Sequence, residues 1–330
     1  MPYNHRGGGR EEPEPKPFSK VLIKSDKAAI KPLGHHRFHP KSYSGELTCV
    51  LTALRPLHIG SGIYELDANE NPVRGQVTAD GRAIIPGTSL KGAIRSIAEA
   101  ITKSCVRITR SDIGRNLSFR GAEACRMVTP RQPATVCVCC SIFGALGYQG
   151  RVAFSDARLL TGVMTTHQIQ SPYQPRDSAR GYTDAQRLFN GRKFYYHGEP
   201  VAAREGEPYH VVAKKSDFEF TLAFESLSDA ELCLLVVAMG IPDDIVIKIG
   251  GGKQAMLGSV EIVPRSLRLV IPEESFSDLS GGVKEIKENV NQYLLDEVGQ
   301  ANQLINEDAL DELMKIWAWP SERKAPTGMY

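Results

Sequence analysis

The sequence predicts an α+β fold in which helices pack against a sheet, and three observations support this prediction. Several short apolar stretches are rich in β-branched residues and are bounded by turn residues, which is typical of strands. Two longer stretches carry apolar residues at helical spacing. These segments follow one another as strand, helix, strand, strand, helix and strand. The chain therefore combines both element types within one unit rather than in separate halves.

The first predicted strand is the apolar stretch 47–59, which we expect to be buried. Residues 63–82 are polar and we interpret them as a connection. The stretch IIPGTSLKGAIRS (84–96) then begins the first helix. One face of this helix is apolar, with residues at i, i+3, i+4, i+7, i+8 and i+11: Leu90, Ala93, Ile94, Ile97, Ala98 and Ile101.

The later elements follow the same logic. Ser228 and Glu231 form a capping box that starts the second helix, and Gly240 with Pro242 ends it. Its body LCLLVVAM is almost entirely apolar, so we expect it to be buried. The remaining strands are predicted at 150–159, 218–226, 245–249, 259–263 and 268–271.

The order of these elements is that of the split βαβ, ferredoxin-like unit, which RRM-like RNA-recognition modules also use. The unit occupies residues 46–271 and carries long insertions at 105–141 and 160–215. Loops of this length are usually functional or disordered. Residues 1–45 read as an extended N-terminal arm, and residues 272–330 as an acidic, helical C-terminal extension.

Composition limits the classes of function. The net charge of the 330-residue chain is only +2, so any anion binding must come from local patches. No apolar run reaches about 18 residues, which predicts no transmembrane helix. The N-terminal stretch lacks the apolar core of a signal peptide, so we expect a cytoplasmic protein. In that reducing compartment, the seven cysteines favour a metal site or simple burial over disulfides.

The start of the first helix is a candidate phosphate seat. A Pro-Gly turn exposes unpaired backbone N–H groups, and Ser89, Lys91 and Arg95 add a hydroxyl and two positive charges on one side. An ordinary capped helix with solvated charges explains the same residues. The stretch 91–131 favours a polyanion, because it holds nine basic residues against three acidic ones.

Cysteine spacing predicts a structural zinc site. Cys137 and Cys140 form a C-x-x-C knuckle, which is half of a tetrahedral site. Cys105 and Cys125 supply the other two thiolates, with Cys139 as a competing ligand. Buried or free thiols remain the alternative. A closed four-cysteine site would hold an irregular segment together and would perform no chemistry.

Three further features suit nucleic acid, although each also has a structural explanation. The turn GGGKQAMLG (250–258) offers close backbone approach at Gly251 and Gly252 together with the charge of Lys253. It lacks the order of a Walker A loop, and a tight turn explains it equally well. His58 could contact phosphate or act as a general base, or it could be a structural histidine whose hydrogen bonds are satisfied within the protein. Arg192 and Lys193 alternate with aromatic residues in 187–198, as in a base-stacking surface or a half-buried hairpin.

Candidate catalytic acids lie in the polar connection. Asp67 and Glu70 follow the first strand, where a loop carboxylate near bound RNA can hold a divalent ion such as Mg²⁺. Solvated loop acids are the more common case.

Four of these motifs occur in a recognisable order: IPGTSLKGAIRS, CVCCSIFG, GRVAFSDA and GGGKQAMLGSVEI. Together they resemble the RAMP superfamily of CRISPR-associated proteins, over residues 47 to 265. Within it they are most similar to the backbone subunit of type III effector complexes. The segment GRKFYYHG is also similar to the superfamily's insertion region.

The resemblance implies an RRM-like palm that stacks in a filament along a CRISPR RNA and positions complementary target RNA. It implies partners among the other effector subunits, including copies of this chain. Ser89, Lys91 and Arg95 would then hold the guide backbone, and His58 and Lys253 would face the same groove. The insertion at 160–215 would supply a thumb hairpin, and the C-x-x-C knuckle matches the zinc-bearing versions of the family.

One departure leaves target cleavage open. Cleaving relatives carry an aspartate just before a Ser-Pro pair, whereas this sequence reads ENPV, with Glu70 in that place and Asp67 three residues earlier. Glutamate is longer by a methylene, and a displacement of about 1 Å costs roughly a hundredfold in rate. Two alternatives remain: a guide-end capping subunit without cleavage, and a stand-alone, metal-independent RNA-processing endonuclease.

Overall fold

The computed structural model describes residues 16–23, 27–36, 39, 41–67, 69–106, 124–125, 135–170, 190–203, 206–242, 245–272, 274 and 281–326. The strands in these ranges are β1 (Phe18–Leu22), β2 (Tyr43–Ala53), β3 (Gly60–Leu66), β4 (Pro72–Gln76), β5 (Thr78–Ala79), β6 (Arg82–Ile85), β7 (Val152–Phe154), β8 (Ala157–Thr161), β9 (Met164–Ile169), β10 (Gly191–Tyr195), β11 (Glu207–Val212), β12 (Asp217–Leu227), β13 (Ile247–Lys248), β14 (Ser259–Val270) and β15 (Val283–Ile286).

The helices in the described ranges are α1 (Gly87–Ala100), α2 (Val138–Phe143), α3 (Asp229–Ala238), α4 (Val290–Val298) and α5 (Glu307–Ile316), with a 3₁₀ turn at Lys253–Ala255. The protein is therefore a mixed α/β structure, and almost all of its strand pairs are antiparallel. Among the described residues, no helix combines the length and the apolar character needed to cross a membrane.

The main sheet follows the order β13–β14–β2–β12–β8–β6–β5, with β7 also on β12 and β15 on β14. Its centre is the long antiparallel set β14–β2–β12, in which Leu51 lies opposite Phe218 on one side and Ile262 on the other. All three side chains are buried. Helix α1 lies beside α3. The core is thus continuous between the central strands and these helices.

Both predicted helices are confirmed, whereas the predicted strand 47–59 ends at Ala53 and the predicted strand 150–159 is two strands, β7 and β8. Strand β12 exceeds its predicted range by one residue at each end. The capping box of α3 is complete, since Ser228 Oγ accepts from the Glu231 N–H and Glu231 accepts from the Ser228 N–H at 3.1 Å. The two predicted pieces at 259–263 and 268–271 are one strand, β14, with an irregularity between Pro264 and Ser266.

The interpretation of residues 63–82 as a connection is wrong. They contain β4, β5 and most of β3, and β3 and β4 form a hairpin within the sheet β3–β4–β11–β9. Every residue of β3 except Glu65 is exposed. A strand exposed on both faces shows no alternation of polar and apolar residues, which is why the pattern failed to reveal it.

The chain on either side of the central unit packs onto it. Strand β1 pairs with β10 along five residues, and Val21 of β1 is buried in the core. Helices α4 and α5 add Leu294 and Leu313 to the same core, and Trp317 just beyond α5 is 2% exposed. The C-terminal extension therefore buries its apolar face against its own chain.

Candidate nucleic-acid interface and metal centre

The glycine-rich turn is fixed against the segment that follows β2. The Gly251 N–H donates to the His58 carbonyl oxygen at 2.8 Å. Gly250 and Gly252 both have positive φ, at 80° and 67°. A Cβ at Gly250 would lie 2.3 Å from the His58 oxygen, and one at Gly252 would lie 2.6 Å from Leu257. Glycine is therefore required at both positions.

Two lysines at this turn have no acidic partner among the described residues. Lys253 opens the 3₁₀ turn, and burial lowers its pKa to about 8. Lys248 on β13 is 4% exposed, and burial, Lys253 and Arg55 lower its pKa to about 7. Within the described part of the chain neither ammonium pairs with a carboxylate; Lys248 donates to Ser259 Oγ at 3.4 Å. An anion bound at this turn would favour the protonated form of both amines, so the two lysines suit an anionic ligand.

Lys248 should make the stability of the protein depend on pH. Its pKa is lower in the folded protein than in the unfolded chain, so the unfolded state binds more protons between pH 7 and 10 and stability rises with pH across that window. One such group contributes at most about 1.4 kcal/mol per pH unit. We expect Lys248→Met to raise stability at pH 7 and to flatten this slope. Urea unfolding at several pH values measures it.

The exposed Lys214 provides the control for that substitution. Lys214→Met should change stability by less than about 0.5 kcal/mol and leave the pH slope intact. A wild-type slope in Lys248→Met would show that the Lys248 ammonium is already solvated in the folded state.

His58 is a buried, neutral histidine beside the turn. It is 3% exposed, and its Nδ1 donates to the His210 carbonyl oxygen at 2.7 Å. Burial lowers its pKa, and the charge of Arg74 adds to the effect. Its ring meets Tyr209 edge to face, with centroids 4.8 Å apart. The structure thus brings together His58 and the glycine turn, which the resemblance placed in the same groove, and adds an aromatic neighbour.

An aromatic stack continues from Tyr209 across the sheet β3–β4–β11–β9. The Arg74 guanidinium lies 5.6 Å from the ring centroid of Tyr209 and 5.1 Å from that of Tyr64. Glu207 holds it through an ion pair of 2.6 Å and also contacts the Tyr64 hydroxyl. We call Tyr64, Arg74 and Tyr209 the aromatic stack. Sequence reasoning missed it, because two of its members lie in the segment interpreted as a connection.

The start of α1 already has an anionic partner from the protein itself. The Asp156 carboxylate accepts from the Gly87 N–H at 2.8 Å. Ser89 is exposed, whereas Lys91 is half-buried and donates to the Val152 carbonyl oxygen at 2.9 Å. Burial lowers the Lys91 pKa. The seat predicted for phosphate is therefore partly filled by the protein's own groups.

Both interpretations of the helix start, a phosphate seat and solvated charges, require an exposed Arg95, and this is wrong. Arg95 is 7% exposed, and Nε donates to Glu99 at 2.7 Å. Arg192 contacts the other oxygen of the same carboxylate. Burial lowers the Arg192 pKa to about 10. The buried pair of Arg95 and Glu99 and the half-buried Arg192 thus form one ion-pair cluster rather than an open basic surface. The six arginines between 107 and 131 lie outside the described residues.

The segment 190–198, which contains β10, is half-buried. Lys193 lies 4.7 Å from the ring centroids of both Phe18 and Tyr195. Phe194 is buried and packs edge to face on Trp317, with centroids 5.2 Å apart. This arrangement matches the half-buried alternative for Arg192 and Lys193, since only one face of β10 is open.

The candidate catalytic acids lie at the tip of the β3–β4 hairpin. Asp67 accepts from the backbone N–H groups of Asn69 and Asn71 at 2.8 and 2.9 Å. Hydrogen bonds from Asn71 lower its pKa. Glu70 is exposed and has a φ of 61°. Among the described residues, neither acid belongs to a group of three or more side chains able to share a metal ion. Through these hydrogen bonds the Asp67 carboxylate stabilises the turn.

The cysteines converge as one buried cluster. The Sγ atoms of Cys105, Cys125, Cys137 and Cys140 lie within 4.8 Å of one another, and all four side chains are buried. Cys139 points elsewhere, with Sγ 3.5 Å from Thr102 Oγ1. The four-cysteine cluster thus contains Cys105 and excludes Cys139.

The dimensions of the four-cysteine cluster fit a tetrahedral metal. The Sγ–Sγ distances of 3.5 and 3.6 Å from Cys105 to Cys140 and Cys137 exceed any disulfide bond. With Zn–S bonds of about 2.3 Å, a tetrahedron places its sulfurs about 3.8 Å apart. The Cys137 N–H also points at Cys125 Sγ, at 3.3 Å. A buried four-thiol cluster with these spacings can hold a metal such as zinc.

Comparison of the sequence with models of known protein families gives a match over most of the region described above. The sequence model of the RAMP superfamily matches residues 50–261, well over half of the chain. That range runs from β2 into β14 and includes the glycine turn, the aromatic stack and the four-cysteine cluster. A search of curated proteins found no match. The chain belongs to the RAMP superfamily, a membership that indicates a CRISPR-associated RNA-binding function.

Proposed function

We propose that this protein is the CRISPR RNA-binding backbone subunit of a type III effector ribonucleoprotein. In this role it holds the guide RNA, positions complementary target RNA and contacts other effector subunits, including copies of itself. Family membership supports the RNA-binding part of the proposal. The order β14–β2–β12–β8, with α1 and α3 as connections, supports a ferredoxin-like palm.

A single observation carries the proposal: cationic, glycine-rich and aromatic groups adjoin one another around the glycine turn. His58 is bonded to Gly251 and contacts Tyr209, which in turn stacks with Arg74. Tyr209 also packs on the cluster that includes Ala255 of the 3₁₀ turn. Single-stranded RNA is bound by this combination, in which cations follow the phosphates and rings stack on bases.

Two further parts of the proposal concern metals. The four-cysteine cluster would hold zinc as a structural ion, which ties the insertion 105–141 to the end of α1.

Target cleavage with Mg²⁺ through Asp67 or Glu70 stays a prediction. Asp67→Ala and Glu70→Ala in the assembled complex, with labelled target RNA and Mg²⁺, test it.

Substitution of Lys253 tests the interface. We expect Lys253→Gln to weaken binding of a labelled CRISPR-repeat RNA by the full-length chain, whatever the RNA sequence. The slope of log affinity against log salt should fall by about 0.7, the value for one phosphate contact in a single strand. Because phosphate favours the charged amine, wild-type affinity should also fall as pH rises through about 8. Filter binding measures both.

Lys315→Gln is the matched control, since Lys315 is exposed on α5 in the C-terminal extension. It should leave the affinity and the salt slope unchanged. If Lys253→Gln instead binds RNA with the wild-type affinity and slope, the turn does not contact phosphate and the proposed interface is wrong.

A further inference from the structure

Arg95 contacts sulfur as well as oxygen. Its Nη2 lies 3.2 Å from Cys140 Sγ, within the four-cysteine cluster. Its Nη1 donates to the Gly144 carbonyl oxygen at 2.7 Å. Cys140 lies in α2 and Gly144 caps its C-terminal end. One guanidinium therefore holds both the cysteine and the end of the helix that carries it.

The two groups that meet at this contact carry excess charges of opposite sign. Arg95 pairs with Glu99, but Glu99 also pairs with Arg192. This buried group of two cations and one anion carries one excess positive charge. A divalent metal held by four thiolates carries two excess negative charges. Buried charges need nearby counter-charges. Arg95 belongs to the positive group and contacts the cysteine cluster, so it brings the two opposite charges together.

We propose that Arg95 is a positioning residue for the metal centre, donating a charge-assisted N–H···S hydrogen bond to the Cys140 thiolate. The inference rests on the proposed zinc centre. Groups that hydrogen-bond to metal ligands orient them and tune their affinity for the metal. Glu99 holds the guanidinium and is itself bound by Arg192, so the centre is linked through α1 to β10. This assigns Arg95 a role that its place in the sequence motif does not suggest.

The test compares zinc affinity and cobalt spectra in the full-length chain. We expect Arg95→Met to weaken zinc binding about 10- to 100-fold in competition with a chromogenic chelator. The sulfur-to-Co²⁺ charge-transfer band should shift in the same variant, because one thiolate loses its hydrogen bond. Arg95→Lys should fall between Arg95→Met and the wild type, since one ammonium cannot reach Glu99, Gly144 and Cys140 together.

Arg151→Met is the matched control. Arg151 is also buried and touches α2, but within the described ranges its side chain donates only to oxygen atoms, those of Ser141, Ser226 and Glu231. It should lower thermal stability and keep the wild-type cobalt band. The inference is overturned if Arg95→Met keeps wild-type zinc affinity, or if Arg151→Met shifts the band equally. If Arg95→Met does not fold, wild-type affinity in Arg95→Lys overturns it. A wild-type chain that binds no zinc would overturn the proposed centre as well.

Discussion

Replacing Cys137 with alanine is expected to abolish zinc binding and to unfold the segment around α2. Cys137 contributes one of the four converging sulfurs and caps α2 by accepting from the Cys140 N–H. In small zinc domains the metal contributes about 10–16 kcal/mol of apparent folding free energy. That is comparable with the whole stability of a typical domain, about 5–15 kcal/mol. We therefore expect a large fall in the melting temperature, and the same fall when a chelator strips the wild type.

Cys139 offers a control two residues away. It is equally buried in α2 but lies outside the four-cysteine cluster. Cys139→Ala should keep one equivalent of zinc by atomic emission, at a modest cost in stability. Less than about half an equivalent in the wild-type chain would count against a four-thiolate site. So would retention of full zinc by Cys137→Ala.

The second large effect is expected at Trp317. This side chain is 2% exposed, its Nε1 donates to the Tyr195 carbonyl oxygen at 3.1 Å, and its ring packs on Phe194. Trp→Ala substitutions in cores cost about 3–5 kcal/mol. We expect Trp317→Ala to lower the free energy of unfolding by that amount in the isolated chain. Urea unfolding followed by circular dichroism measures it.

Trp319 is the natural comparison because it is only partly buried. Its ring centroid lies 4.7 Å from the guanidinium carbon of Arg55. Its substitution by alanine should cost about 1 kcal/mol. Equal, small effects of both substitutions would mean that the C-terminal extension does not contribute to the core of its own chain. In that case it would be free to pack on a neighbouring subunit.

Features written into one continuous stretch of sequence were predictable. The capping box of Ser228 and Glu231 and the apolar body of α3 are local signals, and the structure reproduces them. The same holds for β12, whose residues alternate between buried and less buried positions. The knuckle of Cys137 and Cys140 was predictable for the same reason, because its spacing suits two ligands of one ion.

Features that depend on what folds over a residue were not predictable. Arg95 lies in a charged stripe of α1 that would face solvent on an isolated helix, yet α2 and β10 cover it. The aromatic stack depends on Tyr209 of β11 meeting Arg74 of β4, 135 residues apart, through a parallel pairing. Periodicity within a segment carries no information about such contacts.

Crosslinking tests the central claim, RNA binding at the glycine turn, most directly. A CRISPR-repeat RNA carrying 4-thiouridine would be bound to the full-length chain, irradiated and digested, and the crosslinked peptides identified by mass spectrometry. The account predicts crosslinks at Tyr64, at Tyr209 or within residues 250–258. Crosslinks confined to residues 272–330, or none at low salt, would contradict it.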